Sequence, residues 1–309
     1  MVDFTGQAVI VTGAGRGLGR HYAVELARHG ASVVVNDHGG TTDGRGSDTS
    51  VADEVVDEVR RAGGRAVASH ESVDSWEGGE AIVRLAVDEF GRLDSVVSNA
   101  GIFQMRDFEQ LSPADWRRML GVHLDGGFYV SQPAFRVMKA QGYGRFVFIA
   151  SSAGFFGQAR AAHYAAAKAG LLGLTNVIAI EGSGHGILAN GVLPFGYSRM
   201  VEDTVADREQ TAEEVAFLDA IKPELVVPLV VFLASRACDI SHHSYSACAG
   251  RFARVFVGLG EGWLADASSA PTADDIATHF AEISATDPYV VPLSIIDEVA
   301  DVCSRLGII

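Results

Sequence analysis

Short apolar runs alternate with longer amphipathic segments along most of this 309-residue chain, and this alternation strongly limits the folds open to it. Each predicted strand is an almost continuous run of apolar residues, without alternation of apolar and polar positions. Such runs are typical of a parallel sheet covered by helices on both faces. The sequence therefore predicts an α/β protein with a doubly wound parallel sheet. The predicted strands lie at residues 9–11, 33–35, 66–68, 95–97, 146–149 and 188–193, with a last strand near 252–257. The predicted helices lie at about 17–29, 50–62, 76–90, 113–140, 161–181 and 223–235.

The composition limits the partners that such a protein can have. Hydrophobic residues make up 48% of the chain, which is enough for a sizeable core. The formal net charge is -15, and this disfavours nucleic acid and anionic membrane surfaces, because both bind basic footprints. We interpret the negative charge simply as a source of solubility.

Targeting, membrane and metal signals are absent from the sequence. The first residues, MVDFTGQAVIVTG, carry no basic region followed by an apolar stretch and a cleavage site, and no window holds eighteen uninterrupted apolar residues. Cys238, Cys248 and Cys303 are odd in number and lack a zinc-type spacing. We therefore expect a cytoplasmic protein with free thiols, no membrane span and no metal site.

Two segments depart from the strand–helix rhythm. Residues 38–50, HGGTTDGRGSDTS, form a long polar, glycine-rich loop after the second strand. Residues 264–309 follow the last strand and contain two further helical patterns, the first with Thr272 and Asp275 in an N-cap arrangement. We expect a main domain at 1–263 and a C-terminal helical extension at 264–309, packed on that domain or on a neighbouring subunit.

The first strand leads into a glycine turn and then a helix, VIVTGAGRGLGRHYAVELARHG. Gly13, Gly17 and Gly19 would let the backbone approach a pyrophosphate, and the helix N-terminus supplies unpaired N–H groups. Asp37 follows the second strand, where a carboxylate can accept hydrogen bonds from a ribose diol. The pattern predicts a dinucleotide site; a plain turn with a loop aspartate is the alternative.

One helix is built largely of alanine and carries a tyrosine and a lysine four residues apart. In AHYAAAKAG, residues 162–170, Tyr164 and Lys168 share a helix face. Taken alone, the pair could be a solvated lysine beside a half-buried tyrosine. Next to a dinucleotide site it favours proton transfer, because a nearby ammonium favours the phenolate of a tyrosine whose free pKa is about 10.

Together, these motifs resemble the short-chain dehydrogenase/reductase family. The resemblance rests on TGAGRGLG, on SNAG at 98–101, and on a serine pair upstream of Tyr-x-x-x-Lys, and it covers residues 5–263. It implies a Rossmann-type domain with its active site at the carboxyl ends of the strands. It also implies that Tyr164 is the general acid/base, that Lys168 activates it, and that Ser151 binds the substrate oxygen. Ser152 is the alternative to Ser151.

The resemblance further implies which residues line the cofactor pocket. Asn99 is expected to stabilise the sheet beside the cofactor. At the position of His123 many family members carry an asparagine that completes a water relay to the lysine; His123 could hold the same water or be a structural histidine. The implied cofactor-binding residues are Gly13, Arg16, Gly17, Leu18, Gly19, Asp37, Ser72, Val73, Asn99, Gly101, Tyr164, Lys168, Pro194, Gly196, Tyr197, Ser198 and Arg199.

Two residues give opposite indications about the cofactor. Arg16 could meet the extra phosphate of NADP, whereas Asp37 would repel it and bind the ribose hydroxyls of NAD. Two unit charges 4 Å apart interact with about 4 kcal/mol at an effective dielectric constant near 20. Because Arg16 can turn to solvent and Asp37 is fixed at the strand end, we predict NAD.

Further segments resemble the dehydrogenase domains of peroxisomal multifunctional enzymes and bacterial relatives in steroid or fatty acyl-CoA breakdown. They include VVVNDHGG, GVHLDGGF, YGRFVFIASSAG and KPELVVPLVVFL. The resemblance implies oxidation of a 3-hydroxyacyl-CoA, a hydroxysteroid or its CoA-linked side chain, by a homodimer or homotetramer. Arg199, Arg251 and Arg254 are candidate phosphate contacts. The alternatives are an NADPH-dependent 3-ketoacyl reductase and a non-catalytic NAD-sensing protein.

Overall fold

A computed structural model describes residues 2–205, 209–266 and 268–308 of the chain. Ten strands are present in these ranges. They are β1 (Ala8–Thr12), β2 (Ser32–Asn36), β3 (Arg65–Ser69), β4 (Ser95–Ser98), β5 (Gly144–Ile149), β6 (Ile187–Phe195), β7 (His243–Cys248), β8 (Arg251–Val255), β9 (Leu259–Gly260) and β10 (Tyr289–Val290).

Thirteen α-helices are present in the same ranges. They are α1 (Gly17–Arg28), α2 (Ser50–Arg61), α3 (Trp76–Phe90), α4 (Pro113–Leu120), α5 (Gly126–Gln141), α6 (Ser152–Phe156), α7 (Ala162–Gly182), α8 (Arg199–Val205), α9 (Ala212–Ala220), α10 (Val227–Ala234), α11 (Ala273–Thr278), α12 (Phe280–Ile283) and α13 (Ile295–Arg305).

The main sheet has eight strands in the order β3-β2-β1-β4-β5-β6-β7-β8. Strands β1 to β7 pair in parallel throughout. The order reverses direction between β1 and β4, and such a switch point opens a crevice at the carboxyl ends of the strands. The predicted doubly wound parallel sheet is confirmed.

Both faces of the sheet are covered because successive strand residues point to opposite sides. Val9 and Val11 of β1 lie in one core cluster, which also contains side chains of α1, α2 and α10. Ile10, between them, lies in the other cluster with side chains of α3, α5 and α7. This explains why the strands are apolar along their whole length.

The far edge of the sheet differs from the prediction. The last parallel strand is β7, whose sequence HSYSAC is too polar to be recognised as a buried strand. The strand predicted near 252–257 corresponds to β8, which follows β7 through Ala249 and Gly250. Both of these residues have positive φ, 49° and 82°, as in a type I′ hairpin turn, so β8 runs antiparallel to β7.

The long helix predicted over 113–140 contains one widened turn. Ser112 caps α4 by accepting a hydrogen bond from the Asp115 N–H, and Pro113 occupies the first turn. Between α4 and α5, residues Gly121–Asp125 form a π-helical turn. Such turns often occur at functional sites, and this one carries His123.

The chain divides into two compact units, Met1–Arg254 and Val255–Ile309. In the second unit, β9 pairs with β10, and Thr272 and Asp275 form a capping box at the start of α11. The predicted helix after Thr272 ends at Thr278 and resumes as α12, whereas the second predicted helix is α13. Packing of the extension on the main domain or on a neighbouring subunit stays a prediction. Within the described ranges, every helix is too short or too polar to cross a membrane.

Candidate active site

The carboxyl ends of the parallel strands surround a cavity of about 780 Å³. The residues that follow β1, β2, β4, β5 and β6 all contribute to its walls, together with α7. The cavity therefore lies at the switch point of the sheet, where open α/β sheets bind their ligands.

The turn after β1 has no room for side chains at two of its glycines. A Cβ on Gly13, which has φ 63°, would lie 2.7 Å from the Ala100 Cα. A Cβ on Gly19 would lie 2.1 Å from the Gly13 carbonyl oxygen and 2.5 Å from the Asn99 Nδ2. The turn thus brings bare backbone and the first N–H groups of α1 to the cavity, as a pyrophosphate site requires.

Asn99 connects this turn to the neighbouring strand. Its Nδ2 donates to the Thr12 carbonyl at 2.9 Å and to the Gly13 carbonyl at 3.0 Å. The Thr12 hydroxyl in turn accepts from the backbone N–H groups of Asn99 and Ala100, both at 3.0 Å. Asn99 therefore holds β1 and β4 at a fixed spacing while lining the cavity, which matches the structural position expected for it.

Asp37 is fixed at the end of β2 by backbone hydrogen bonds. Its Oδ2 accepts from the Gly15 N–H at 2.8 Å and its Oδ1 from the Gly39 N–H at 2.7 Å. Each oxygen keeps a lone pair, so the carboxylate can still accept from a ligand in the cavity. The side-chain amide of Asn36 donates hydrogen bonds to Ser69 of β3 and to the Glu71 carbonyl, the latter at 2.8 Å.

The glycine-rich loop after β2 forms part of the cavity wall. Residues 38, 40–42 and 44 line the cavity, and the Phe103 N–H donates to the Thr42 carbonyl at 2.8 Å. The loop therefore reaches from the end of β2 to the segment that follows β4.

Ser151, Tyr164 and Lys168 meet on the opposite wall of the cavity. Ser151 follows β5 and caps α6, where its Oγ accepts from the Ala153 N–H at 3.1 Å. Ser152 is the first residue of α6 and does not line the cavity, so the geometry favours Ser151. The Lys168 Nζ donates to the Ile149 carbonyl at 2.6 Å and lies 5.6 Å from the centre of the Tyr164 ring.

Burial dominates the ionisation of this group. It raises the pKa of Tyr164, and hydrogen bonding with Ser151 offsets only part of that rise. It also lowers the pKa of Lys168 to about 7. The expectation that Lys168 lowers the pKa of Tyr164 stays a prediction, since burial is the largest influence on the pKa of each group. The tyrosine is a neutral phenol here.

His123 is buried behind the tyrosine. Its ring contacts the Tyr164 ring edge-on, with centroids 5.2 Å apart, and its Nε2 lies 2.7 Å from the Ile102 carbonyl. Its Nδ1 is buried without a protein partner. Burial, and then the charge of Lys168, hold the pKa of His123 well below its usual range. The Ile102 N–H also lies 3.1 Å from Nε2, so the tautomer decides whether Nε2 donates to the Ile102 carbonyl and leaves Nδ1 an acceptor, or accepts from the Ile102 N–H and leaves Nδ1 a donor.

This depressed pKa makes the stability of the protein sensitive to acid. Below about pH 6.5 the unfolded chain binds a proton at His123 that the native state excludes, so the free energy of unfolding falls as the pH falls. Below about pH 6.5, the free energy of unfolding falls by about 1.4 kcal/mol for each pH unit over which the native His123 ring stays neutral. We expect His123→Asn to lack this loss, as measured by urea unfolding at pH 7.5 and pH 5.

The quantity compared is the difference in unfolding free energy between wild type and His123→Asn, taken at each pH. Other histidines, including His163 and His243, titrate in both proteins and cancel in that difference. A difference in unfolding free energy that stays constant between the two pH values would show that His123 is protonated alike in the folded and unfolded states.

The cavity brings together all but one of the predicted site residues. Tyr197 lies outside it, because its N–H donates to the Ile221 carbonyl at 2.7 Å and its side chain lines a separate depression with Val215 and Leu218. The cavity is lined by Gly13, Arg16, Gly17, Leu18, Gly19, Asp37, Ser72, Val73, Asn99, Gly101, His123, Ser151, Tyr164, Lys168, Pro194, Gly196, Ser198 and Arg199.

Sequence reasoning missed several wall residues. Phe103 contacts the Tyr164 ring edge-on at 5.0 Å, and Gln158 lines the cavity just before α7. Neither belongs to a motif; only their positions after β4 and before the Tyr-Lys helix could have indicated them. Of the candidate phosphate contacts, Arg199 lines the cavity, whereas Arg251 donates to the Ser246 hydroxyl on β7. Among the described residues, no group of three possible metal ligands is found.

Comparison with known proteins defines the class. A profile described as short chain dehydrogenase matches residues 7–210. Together with the glycine turn, the switch-point cavity and the Ser-Tyr-Lys group, this match shows that the chain belongs to the short-chain dehydrogenase/reductase family, a family of oxidoreductases that use NAD or NADP.

Particular relatives are similar over most of the chain. A short-chain type dehydrogenase/reductase of Mycobacterium tuberculosis is 41% identical over 90% of this chain and 94% of its own length. Peroxisomal multifunctional enzyme type 2 of Mus musculus is 44% identical over 80% of this chain, which spans only 32% of that enzyme. The hydroxyacyl-CoA dehydrogenase ChsB1 of M. tuberculosis is 36% identical, over 76% of this chain and 74% of that protein.

Solved structures agree with these relatives. Full-length peroxisomal multifunctional enzyme type 2 of Drosophila melanogaster superposes with a TM-score of 0.81 and 30% identity, covering 99% of this chain and 50% of that one. A carveol dehydrogenase of Mycobacterium avium, solved in complex with NAD, superposes with a TM-score of 0.73 and 26% identity, covering 81% of this chain and 99% of that one.

Proposed function

We propose that this protein is an NAD-dependent dehydrogenase of a secondary alcohol, acting on a 3-hydroxyacyl-CoA or a hydroxysteroid, including CoA-linked steroid side chains. The observation that carries the proposal is the meeting of Ser151, Tyr164 and Lys168 in the same cavity as the glycine turn and Asp37. A protein that only sensed NAD would need the glycine turn and Asp37, but it would not need the Ser-Tyr-Lys group.

The residues present fit a nicotinamide dinucleotide. The turn at Gly13–Gly19 admits a pyrophosphate because side chains are excluded there, and Asp37 offers free lone pairs to a ribose diol. The Lys168 ammonium, at the other end of the cavity, can bind the second ribose. When bound, NAD would accept the hydride from the alcohol carbon.

The protein's own groups would handle the proton. Ser151 would bind the alcohol oxygen, and Tyr164 would take the hydroxyl proton as the carbonyl forms, or return it in the reverse direction. Since burial raises the pKa of Tyr164, this residue is a neutral phenol at neutral pH, which is the acid form. Oxidation of the alcohol requires the phenolate, so we propose that it is favoured by higher pH, which promotes loss of the phenol proton.

The acidic surroundings of the adenosine end support NAD over NADP. Asp37, Glu71 and Asp74 line the cavity together with Arg16 and Arg20, and the Arg20 guanidinium is paired with Glu58. A 2′-phosphate would add about two negative charges next to the Asp37 carboxylate, which backbone hydrogen bonds prevent from moving away. The alternative, an NADPH-dependent 3-ketoacyl reductase, is favoured only by Arg16.

The substrate class rests on the relatives. ChsB1 is named as a hydroxyacyl-CoA dehydrogenase, and most of its length is covered by this chain. The aromatic side chain of Phe103 beside Tyr164 gives the reacting end of the cavity an apolar wall that suits a lipid or steroid carbon skeleton. Arg199, at the same cavity, is a candidate contact for a CoA phosphate.

The direct experiment is hydride transfer followed at 340 nm. We expect reduction of NAD by a panel of 3-hydroxyacyl-CoAs and hydroxysteroids, with kcat/KM for NAD at least tenfold above that for NADP. Preferential turnover of small alcohols would contradict the substrate class, and an NADP preference would contradict the cofactor. Absence of turnover together with intact NADH binding would support a sensor instead.

Self-association and a cytoplasmic location remain proposals. Large apolar side chains stand exposed on α5 and α7, with Phe128, Val177 and Ile180 each between 43% and 51% accessible. These helices are the ones through which the family resemblance implies pairing, so exposed apolar surface there suits a homodimer or homotetramer.

A further inference from the structure

Arg16 does not stand free beside the cavity. It precedes α1 in extended backbone conformation, next to Gly15, whose N–H is bonded to Asp37. Arg16 and Asp37 line the same cavity, and a basic side chain near the adenosine ribose can accommodate a 2′-phosphate. However, the Arg16 Nη2 lies 3.5 Å from the Asp48 Oδ2.

Asp48 is held in place from several sides. Its Oδ1 accepts from the Ser50 N–H at 3.1 Å and from the Ser50 hydroxyl at 2.6 Å, at the start of α2. Its own N–H donates to the His38 carbonyl at 3.2 Å, so it closes the base of the loop that begins after Asp37. The backbones of Gly39 and Asp48 are so close that a Cβ on Gly39 would lie 2.0 Å from the Asp48 carbonyl oxygen.

The two partners therefore differ in mobility. The Arg16 guanidinium is carried on a long, flexible side chain, whereas the Asp48 carboxylate is bonded to Ser50 and the Asp48 backbone N–H to the His38 carbonyl. Those hydrogen bonds with Ser50 also hold the pKa of Asp48 below its usual range, which keeps the carboxylate charged. In this arrangement the aspartate determines where the arginine points.

We propose that Asp48 is a cofactor-specificity residue, which holds the Arg16 guanidinium and so withdraws it from the 2′-phosphate of NADP. The inference rests on the proposed dinucleotide site and adds a second carboxylate to the discrimination that Asp37 provides. The Asp48 carboxylate and the 2′-phosphate of NADP would compete for the Arg16 guanidinium. Because the pair is half-exposed, this competition is modest.

The experiment is a double-mutant cycle on binding. Asp48→Asn keeps an oxygen for the Ser50 N–H but removes the charge that faces Arg16, and Arg16→Gln removes the guanidinium. Equilibrium dissociation constants would be measured by calorimetry for NADH and NADPH, and for 5′-AMP and adenosine 2′,5′-bisphosphate. In Asp48→Asn we expect NADPH and the bisphosphate to bind about 1.5- to fivefold more tightly, the range of exposed ion pairs, with NADH and 5′-AMP unchanged.

The cycle separates the possible outcomes. If the gain disappears in the Arg16→Gln background, Asp48 acts through Arg16 as proposed. An equal gain without Arg16, or no gain in Asp48→Asn with NADH binding intact, overturns the inference while leaving the proposed function untouched. Failure of the wild-type protein to bind either dinucleotide overturns the proposed function itself. Thermal unfolding of each variant establishes that the loop and α2 remain folded.

Discussion

Tyr164→Phe is expected to lower kcat for alcohol oxidation by a factor of about 10² to 10⁴, the usual contribution of one acid/base group. The variant keeps the ring that packs between Phe103 and His123, with centroids at 5.0 and 5.2 Å, and loses only the hydroxyl. Proton transfer should fail while the cavity keeps its shape. The measurement is steady-state turnover with NAD, together with the dissociation constant for NADH.

Tyr22 provides a matched control for the same chemical change. It is fully buried away from the cavity, and its hydroxyl has no protein partner. Tyr22→Phe should leave turnover within about twofold of wild type and cost little stability, because no hydrogen bond is lost. Near-wild-type turnover in Tyr164→Phe would remove Tyr164 from the proposed chemistry.

The second large effect is expected from Gly19→Ala. The added methyl would lie 2.1 Å from the Gly13 carbonyl oxygen, which Asn99 also binds, so the turn and the start of α1 must move apart. Overpacking of this kind costs about 1–3 kcal/mol of unfolding free energy. Because the N–H groups of the turn shift with it, we expect NADH to bind more than tenfold more weakly, as measured by calorimetry.

Gly173 offers the opposite result from the same substitution. Within the chain it lies on an exposed face of α7, where a Cβ would meet nothing within 4 Å. This face also carries Val177 and Ile180, proposed above for pairing between subunits, so unfolding is measured at a protein concentration at which the chain is monomeric. Gly173→Ala should raise the unfolding free energy by about 0.5–1 kcal/mol, since alanine loses less backbone entropy in a helix. If Gly19→Ala also raises the unfolding free energy and leaves NADH binding unchanged, the turn after β1 is not closely packed around Gly19.

Local signals allowed much of this molecule to be predicted. The apolar strands β1 to β6 were recognisable because burial on both faces removes the need for polar residues, and Gly13 to Gly19 were recognisable because close backbone contact excludes side chains. In contrast, β7 was missed. Its HSYSAC sequence takes its strand conformation from pairing with β6, a tertiary contact that leaves no pattern in the segment itself.

The site shows the same division. Ser151, Tyr164 and Lys168 were predicted by spacing, and the structure brings them to one cavity. The direction of the Tyr164 pKa was not predictable, because it depends on how much water the surrounding helices exclude. Tyr197 lies outside the cavity, and its part in binding the cofactor stays a prediction; its hydrogen bond to Ile221 is a tertiary contact that leaves no pattern in the local sequence.

The hydrogen bond between Phe103 and Thr42 has a kinetic consequence. It connects the loop after β2 to the segment after β4, so two walls of the cavity are joined beside the reacting end, where Phe103 contacts Tyr164. If a bound dinucleotide lies beneath this hydrogen bond, its release requires the hydrogen bond to open. Where a cover of this kind exists, release of product rather than bond breaking often sets the turnover rate. For this protein, deuterium at the reacting carbon would then slow single-turnover reduction of NAD while leaving steady-state kcat almost unchanged.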